Sequence, residues 1–271
     1  MLQISSYGSG ILSVYDERIT NISLDNLKII SKLMNFPFCI CGGWAVYYTI
    51  NDVFKKQKNR EYLGSQDIDI GFSLQSMMGK RDLESTTLFK TLNILESHGY
   101  KPEGFRYRKD IPFATIDSED DIGENKTFVL YIDILVNSYP PSLYDLYPNC
   151  FFEEPLLEQV YNNTQYQVKI PSISNHLFIP TREIIIAMKI RSLPTRGTRH
   201  KMIKDLCDLY GLLWFSPKPV TKIIDEISKF LDGNSLKQLK NKIDLNLMKE
   251  CEAVLGEPKG SVHTVLNDLY K

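Results

Sequence analysis

The sequence predicts an α+β fold: a mixed, twisted β-sheet core followed by a C-terminal helical bundle. Three observations carry this. Short alternating or β-branched stretches recur up to about residue 170, among them TFVLYIDILV at 127–136. Helical spacing then dominates from residue 181 to the end. A joint near Pro180 separates the two patterns, giving one domain over 1–180 and a second over 181–271.

The elements follow in order. Leu24, Leu27, Ile30 and Leu33 or Met34 have helical spacing, with Ser23 as an N-cap and Pro37 beyond the end. FCIC at 38–41 reads as a short buried strand, Gly42-Gly43 as a turn, and 44–50 as a helix. The polar stretch 51–64 reads as an inserted surface loop, and DIDIGFSL at 67–74 as an alternating strand. A helix over 84–98 closes at Gly99, and 105–108 with 113–116 forms a hairpin. Residues 165–170 alternate again. Helices then cover 181–193, 200–214, 219–231, 235–243, 244–255 and 261–270, punctuated by Pro217, Pro219, Gly233 and Gly256.

The totals exclude several classes. The chain has 271 residues, 43% of them hydrophobic, and a formal charge of −1, so no global basic field attracts nucleic acid. Five cysteines are an odd number without zinc-ligand spacing, and read as free thiols of a reducing, cytoplasmic setting. The N-terminal stretch has no signal-peptide pattern, and no apolar run approaches the ~20 residues that span a bilayer, so no membrane partner is expected.

Asp67 and Asp69 stand two apart on a strand, so they project together while Ile68 and Ile70 face the core. Two like charges that close cost roughly 4 kcal/mol at an effective dielectric near 20. A magnesium ion, which takes oxygen ligands and retains waters and substrate phosphates, offsets that cost. Asp133 is the lone charge in the apolar strand 130–135 and can complete the set. Such carboxylates can hold one or two metals that activate an attacking oxygen and neutralise a leaving pyrophosphate. Gly42 and Gly43, between a strand and a helix, would let phosphates close on bare backbone N–H groups, and Ser65 would add a hydroxyl donor. Singly, each feature has an ordinary reading as a strand edge or a turn. Their order along the chain describes metal-assisted nucleotidyl transfer from an NTP.

Cys41-Gly42-Gly43, Asp67-Ile68-Asp69 and Asp133 together resemble the signature of the nucleotidyltransferase superfamily of the DNA polymerase β type, over roughly residues 24–136. Residues 180–213 resemble the segment after the catalytic core in AbiEii-type nucleotidyltransferases, through Pro180, Ala187-Met188-Lys189, Arg199 and the run from Lys204 to Leu209. That group includes toxins of toxin–antitoxin systems, some acting on tRNA. The resemblance implies a nucleotidyltransferase core whose helical domain closes the nucleotide cleft. Asp67, Asp69 and Asp133 would hold Mg2+. Gly42, Gly43, Ser65, Lys189, Asp205 and Asp208 would contact the nucleotide. A cognate antitoxin is an implied partner. The long segment between Gly43 and Asp67 departs from the family pattern.

The second half also has readings of its own. Lys189 sits among Ile185, Ile186 and Leu193, either snorkelling along an apolar surface or reaching phosphates. Asp205 and Asp208 share a helix face with Lys201, opposite an apolar stripe, and a solvated, salt-bridged face accounts for them equally. The basic window 189–204 suits a polynucleotide or an acidic partner. The acceptor is therefore open between tRNA or a protein hydroxyl and a small molecule such as an aminoglycoside, drawn by Asp117, Glu119, Asp120, Asp121 and Glu124. A non-catalytic binding module of the same fold is the third reading.

Overall fold

The computed structural model describes residues 17–113, 126–147 and 150–270. Helix α1 (Glu17–Leu33) buries Ser23, Leu27 and Ile30; it starts ahead of Ser23, which is an interior residue and not the cap. Strand β1 (Phe38–Ile40) is fully buried. Gly42, at φ +58°, turns the chain into α2 (Gly42–Lys58). A side chain there would be strained, because only glycine enters the left-handed region freely. Most of the expected loop at 51–64 is helix: Val46, Ile50 and Phe54 recur at four-residue intervals on the buried side. The exposed Asp52, Lys55 and Lys56 hide that stripe in a polar count.

Strand β2 (Ile68–Phe72) starts after Asp67. The helix expected over 84–98 is two, α3 (Lys80–Glu84) and α4 (Thr87–Ser97), because Thr86 caps a new start by accepting from Phe89 N–H at 3.3 Å. Strands β3 (Lys101–Glu103) and β4 (Arg106–Phe113) form a hairpin about Gly104, and β4 pairs next with β5 (Lys126–Val136). This replaces the expected hairpin of 105–108 with 113–116, of which 114–116 lie outside the described residues. Then come α5 (Pro141–Leu146), β6 (Phe152–Glu153), α6 (Leu156–Asn162), β7 (Gln167–Lys169) and β8 (Leu177–Pro180). The chain continues as α7 (Arg182–Ser192), α8 (Arg199–Trp214), α9 (Val220–Ile227), α10 (Ser235–Lys242), α11 (Leu245–Leu255) and α12 (Ser261–Leu269). No helix among the described residues is long and apolar enough to cross a membrane.

The chain forms two compact units, one of Arg18–Cys41 with Ser65–Ile179, the other containing Gly42–Gly64 and Pro180–Lys271. The helical unit therefore takes α2 as well as the C-terminal helices.

The sheet unit holds one mixed sheet in the order β3-β4-β5-β2-β1-β8-β7, with β6 beside β5. Pairs β2–β5, β1–β8 and β5–β6 are parallel, while β1–β2, β3–β4 and β4–β5 are antiparallel. Ile68, Ile70 and Phe72 stand in register with Ile132, Ile134 and Val136 on one buried face. The other face carries Asp69 and Gly71. Leu157 of α6 lies over Gly71, and Tyr161 of α6 donates its hydroxyl to the Gly71 carbonyl at 2.7 Å.

The helical unit is tied by a buried ionic cluster. The Lys189 ammonium on α7 donates to Asp205 Oδ1 at 2.5 Å and Asp208 Oδ2 at 2.7 Å, both on α8. Arg196 Nε donates to Asp205 Oδ2 at 2.5 Å. Asp208 Oδ1 accepts from the Tyr62 hydroxyl at 2.8 Å and from Lys204. Lys189, Asp205 and Asp208 are 6%, 3% and 0% exposed, so the face expected to be solvated is buried. The charges that made it look solvated neutralise one another across two helices.

Three variants test this packing by urea unfolding. A Cβ at Gly71 would meet Leu157 Cδ2 at 2.6 Å and Cys41 Sγ at 3.1 Å, so Gly71→Ala is expected to cost about 1–3 kcal/mol in urea unfolding. Asp208→Ala strands buried cations and is expected to cost about 3–5 kcal/mol. Arg199→Ala removes only the exposed pair with Glu250 and is expected to cost below about 1 kcal/mol. Equal losses for the last two would mean that the cluster does not hold α7 to α8.

Candidate active site

The parallel register of β2 and β5 makes Asp69 and Asp133 partners on neighbouring strands, on the same face. The antiparallel register of β4 then makes Arg106 the partner of Asp133. Two carboxylates and one guanidinium thus form a row across three strands. Arg106 Nη2 donates to Asp133 Oδ2 at 2.8 Å. The guanidinium also lies over the Tyr131 ring at 4.4 Å and the Phe105 ring at 5.3 Å. Those stacking contacts fix its plane and leave the fork aimed at Asp133.

Asp133 is 8% exposed, and its Oδ1 is buried with no hydrogen-bond partner among the described residues. Burial raises its pKa from 3.8 to about 7; the negative charge of Asp69, and more weakly that of Asp67, push the same way, and Arg106 opposes them. Arg106 thus offsets only part of the burial and charge that push Asp133 upward. An unsatisfied buried oxygen beside a second carboxylate is the donor chemistry that a hard divalent cation takes. Among the described residues no group of three His, Cys, Asp or Glu side chains is placed to hold a metal ion. Magnesium does not need one, since it is held through one or two carboxylates with substrate phosphates and waters filling its shell.

The other expected residues divide between the units. Asp67 is at a bend just before β2 and not within a strand, because ladder pairing to β5 begins at Ile68. Its charge still acts on Asp133. Ser65 belongs to the sheet unit and is half-buried. Gly42 and Gly43 open α2 in the helical unit. Lys189, Asp205 and Asp208 are brought together, but with one another: two of the three ammonium donors of Lys189 are taken by carboxylates. Attraction to those carboxylates keeps Lys189 charged despite burial, while Lys189 and Arg196 hold Asp205 below the usual carboxylate range.

The basic window is also largely spent inside the helical unit. Lys189, Arg196 and Lys204 serve the cluster, and Arg199 makes a fork to both Glu250 oxygens at 2.6–3.1 Å. The acidic group at Asp117, Glu119, Asp120, Asp121 and Glu124 lies outside the described residues. Arg106 is the residue that sequence reasoning missed. Its neighbour Arg108 looks identical in sequence, yet pairs with Asp110 and Glu103 at the surface. Only the β4–β5 register tells them apart. The five cysteines are free thiols, with Cys39 and Cys41 sulfurs 3.8 Å apart on one side of the chain, as their spacing predicts.

No protein-family model matches the sequence, and no curated protein does. Among solved structures, the chain is similar to the crystal structure of an antigenic nucleotidyltransferase-like protein from Paracoccidioides brasiliensis. The identity is 12% over 90% of this chain and 99% of that one, with a TM-score of 0.40.

Proposed function

We propose that the protein is a magnesium-dependent nucleotidyltransferase that moves a nucleoside monophosphate from an NTP to an acceptor hydroxyl. The observation that carries this reading is the in-register pair Asp69–Asp133, with Asp133 Oδ1 buried and unpartnered. Asp69 and Asp133 are the proposed protein ligands of Mg2+, with Asp67, whose charge reaches Asp133, as the third acidic residue of the set. When bound, the metal would neutralise charge on the triphosphate and the leaving pyrophosphate. Asp133 is also proposed to assist deprotonation of the acceptor hydroxyl, as the buried carboxylate of the metal site. Arg106 holds Oδ2, so Oδ1 is the oxygen left to face the metal and the incoming hydroxyl. In the transfer, the acceptor oxygen bonds to the α-phosphorus and the bond from that phosphorus to the bridging oxygen breaks. Pyrophosphate leaves, and the hydroxyl proton passes to Asp133.

Ser65 is a proposed hydroxyl donor to the β- and γ-phosphates, and a phosphate role for Gly42 and Gly43 rests on the family resemblance alone. Lys189, Asp205 and Asp208 are assigned to holding α7 and α8 together, because they satisfy one another. With the basic window internally paired, charge no longer argues for a polyanionic acceptor. A toxin-like acceptor (tRNA or a protein hydroxyl) and an antitoxin partner rest on the resemblance to the AbiEii-type group alone.

Isothermal titration with ATP, GTP, CTP and UTP is expected to give binding of at least one NTP that requires Mg2+ and is lost in Asp67→Ala/Asp69→Ala. Binding by a folded double variant equal to wild type would remove the metal site. A pH dependence tests Asp133 itself. Its folded pKa lies above its unfolded one, so without metal the native state holds the extra proton, and stability falls as pH rises from about 4 to about 7. Mg2+ binds the ionised form, and is expected to raise the melting temperature at pH 8 more than at pH 5.5. Asp133→Asn should remove that difference; an unchanged profile in this variant would assign the titration to other groups.

A further inference from the structure

An aromatic recess lies in the same unit as the carboxylates. Phe105, Tyr139, Tyr144, Phe151, Phe152 and Glu153 line a cavity of about 360 Å³. That is at the small end of ligand pockets, roughly 300–1,000 Å³, and fits one ring-bearing moiety. Phe105, Tyr144 and Phe152 are 45%, 52% and 39% exposed, three of the few large apolar side chains the described surface shows. Single exposed apolar residues are ordinary, but a cluster of aromatics around a cavity marks a binding surface.

Register ties this recess to Asp133. Phe152 is the β6 partner of Leu135, which stands two residues beyond Asp133 and on its face of β5. Phe105 precedes Arg106, the residue bonded to Asp133, and its ring meets Phe152 edge-on at 4.8 Å. The walls are held in place. The Tyr139 hydroxyl donates to the Tyr147 carbonyl and accepts from Cys150 N–H at 3.1 Å, so the ring, not the hydroxyl, is what Tyr139 offers. Tyr139 also touches Tyr144 and Phe151, each at 6.1 Å between centroids.

We propose that this recess is the acceptor subsite and that the acceptor is a nucleoside-class molecule, its base against Phe105 and Phe152 and a sugar hydroxyl toward Asp133. The proposal rests on the nucleotidyltransferase reading above. Aromatic walls stack any base through its π-face, and Glu153 offers a carboxylate that accepts from exocyclic amino groups. The choice of a neutral base over a cationic amine rests on the walls, which are aromatic apart from the exposed Glu153, whose solvated carboxylate holds an ammonium only weakly.

The test is nucleoside binding by the full chain in EDTA, without NTP, which reads the recess independently of the metal site. Adenosine, guanosine, cytidine, uridine and spermidine are titrated by ligand-observed NMR. At least one nucleoside is expected to bind, and Phe105→Ala and Phe152→Ala to weaken it at least tenfold each. Both side chains are partly exposed, so their truncation opens no core; Tyr144→Ala is the third variant should one misfold. Trp214→Ala, which removes an exposed aromatic on α8, should bind as wild type. Saturating Mg2+·NTP should leave the nucleoside bound. The proposal is overturned if no nucleoside binds, if spermidine alone binds, if the pocket variants bind as wild type, or if NTP competes. Competition would assign the recess to the donor's base. Nucleoside binding with no Mg2+·NTP binding would instead sink the nucleotidyltransferase reading and leave a nucleoside-binding recess.

Discussion

The parallel pairing of β2 with β5 is the constraint on which the candidate site depends. It sets Asp69 opposite Asp133, and β4, paired antiparallel on the far side of β5, brings Arg106 into the same row. A slip by one residue would send these side chains to the other face of the sheet. What prevents the slip is the opposite face, where Ile68, Ile70 and Phe72 interlock with Ile132, Ile134 and Val136 away from water. Burial of those apolar side chains contributes ~25 cal/mol per Å² of area removed from water. Hydrophobic register thereby holds two carboxylates closer than their charges favour.

The two ionic groups in the chain show what distinguishes a site from a strut. In the helical unit every carboxylate oxygen of Asp205 and Asp208 has a cationic or hydroxyl donor. Such a cluster is closed, and removing any member leaves a stranded charge. In the sheet unit Asp133 has one arginine, one orphaned oxygen and two acidic neighbours that push its pKa up. Burial is common to both. The difference is whether the geometry leaves an atom that a ligand or a proton can satisfy.

Leu157 covers the same face at Gly71, while the aromatic recess flanks the row at β6. The absence of a side chain at residue 71 is what allows α6 to approach so closely, with Tyr161 anchored to the Gly71 carbonyl. The carboxylates are thus framed by a tightly packed helix and a set of exposed rings, both attached to the same sheet.

The sequence alone determined the local grammar. Alternation in IDIG and YIDIL, β-branched runs and the Gly42-Gly43 turn sufficed to place β1, β2 and β5, because side-chain period and turn residues are local properties. The carboxylates that lie together, Asp69 and Asp133, were also legible, since a charge in an apolar strand is conspicuous in one dimension. Tertiary structure alone decided three matters. It showed that 51–58 continues α2, because the burial of Phe54 depends on the helical unit that packs around it. It closed Lys189 onto Asp205 and Asp208, where sequence left snorkelling and phosphate contact open, since a lysine's partner lies on another helix. It chose Arg106 over Arg108 and gathered Phe105 with Phe152, because long-range register is set by the summed packing of strands far apart in the chain and has no local signature.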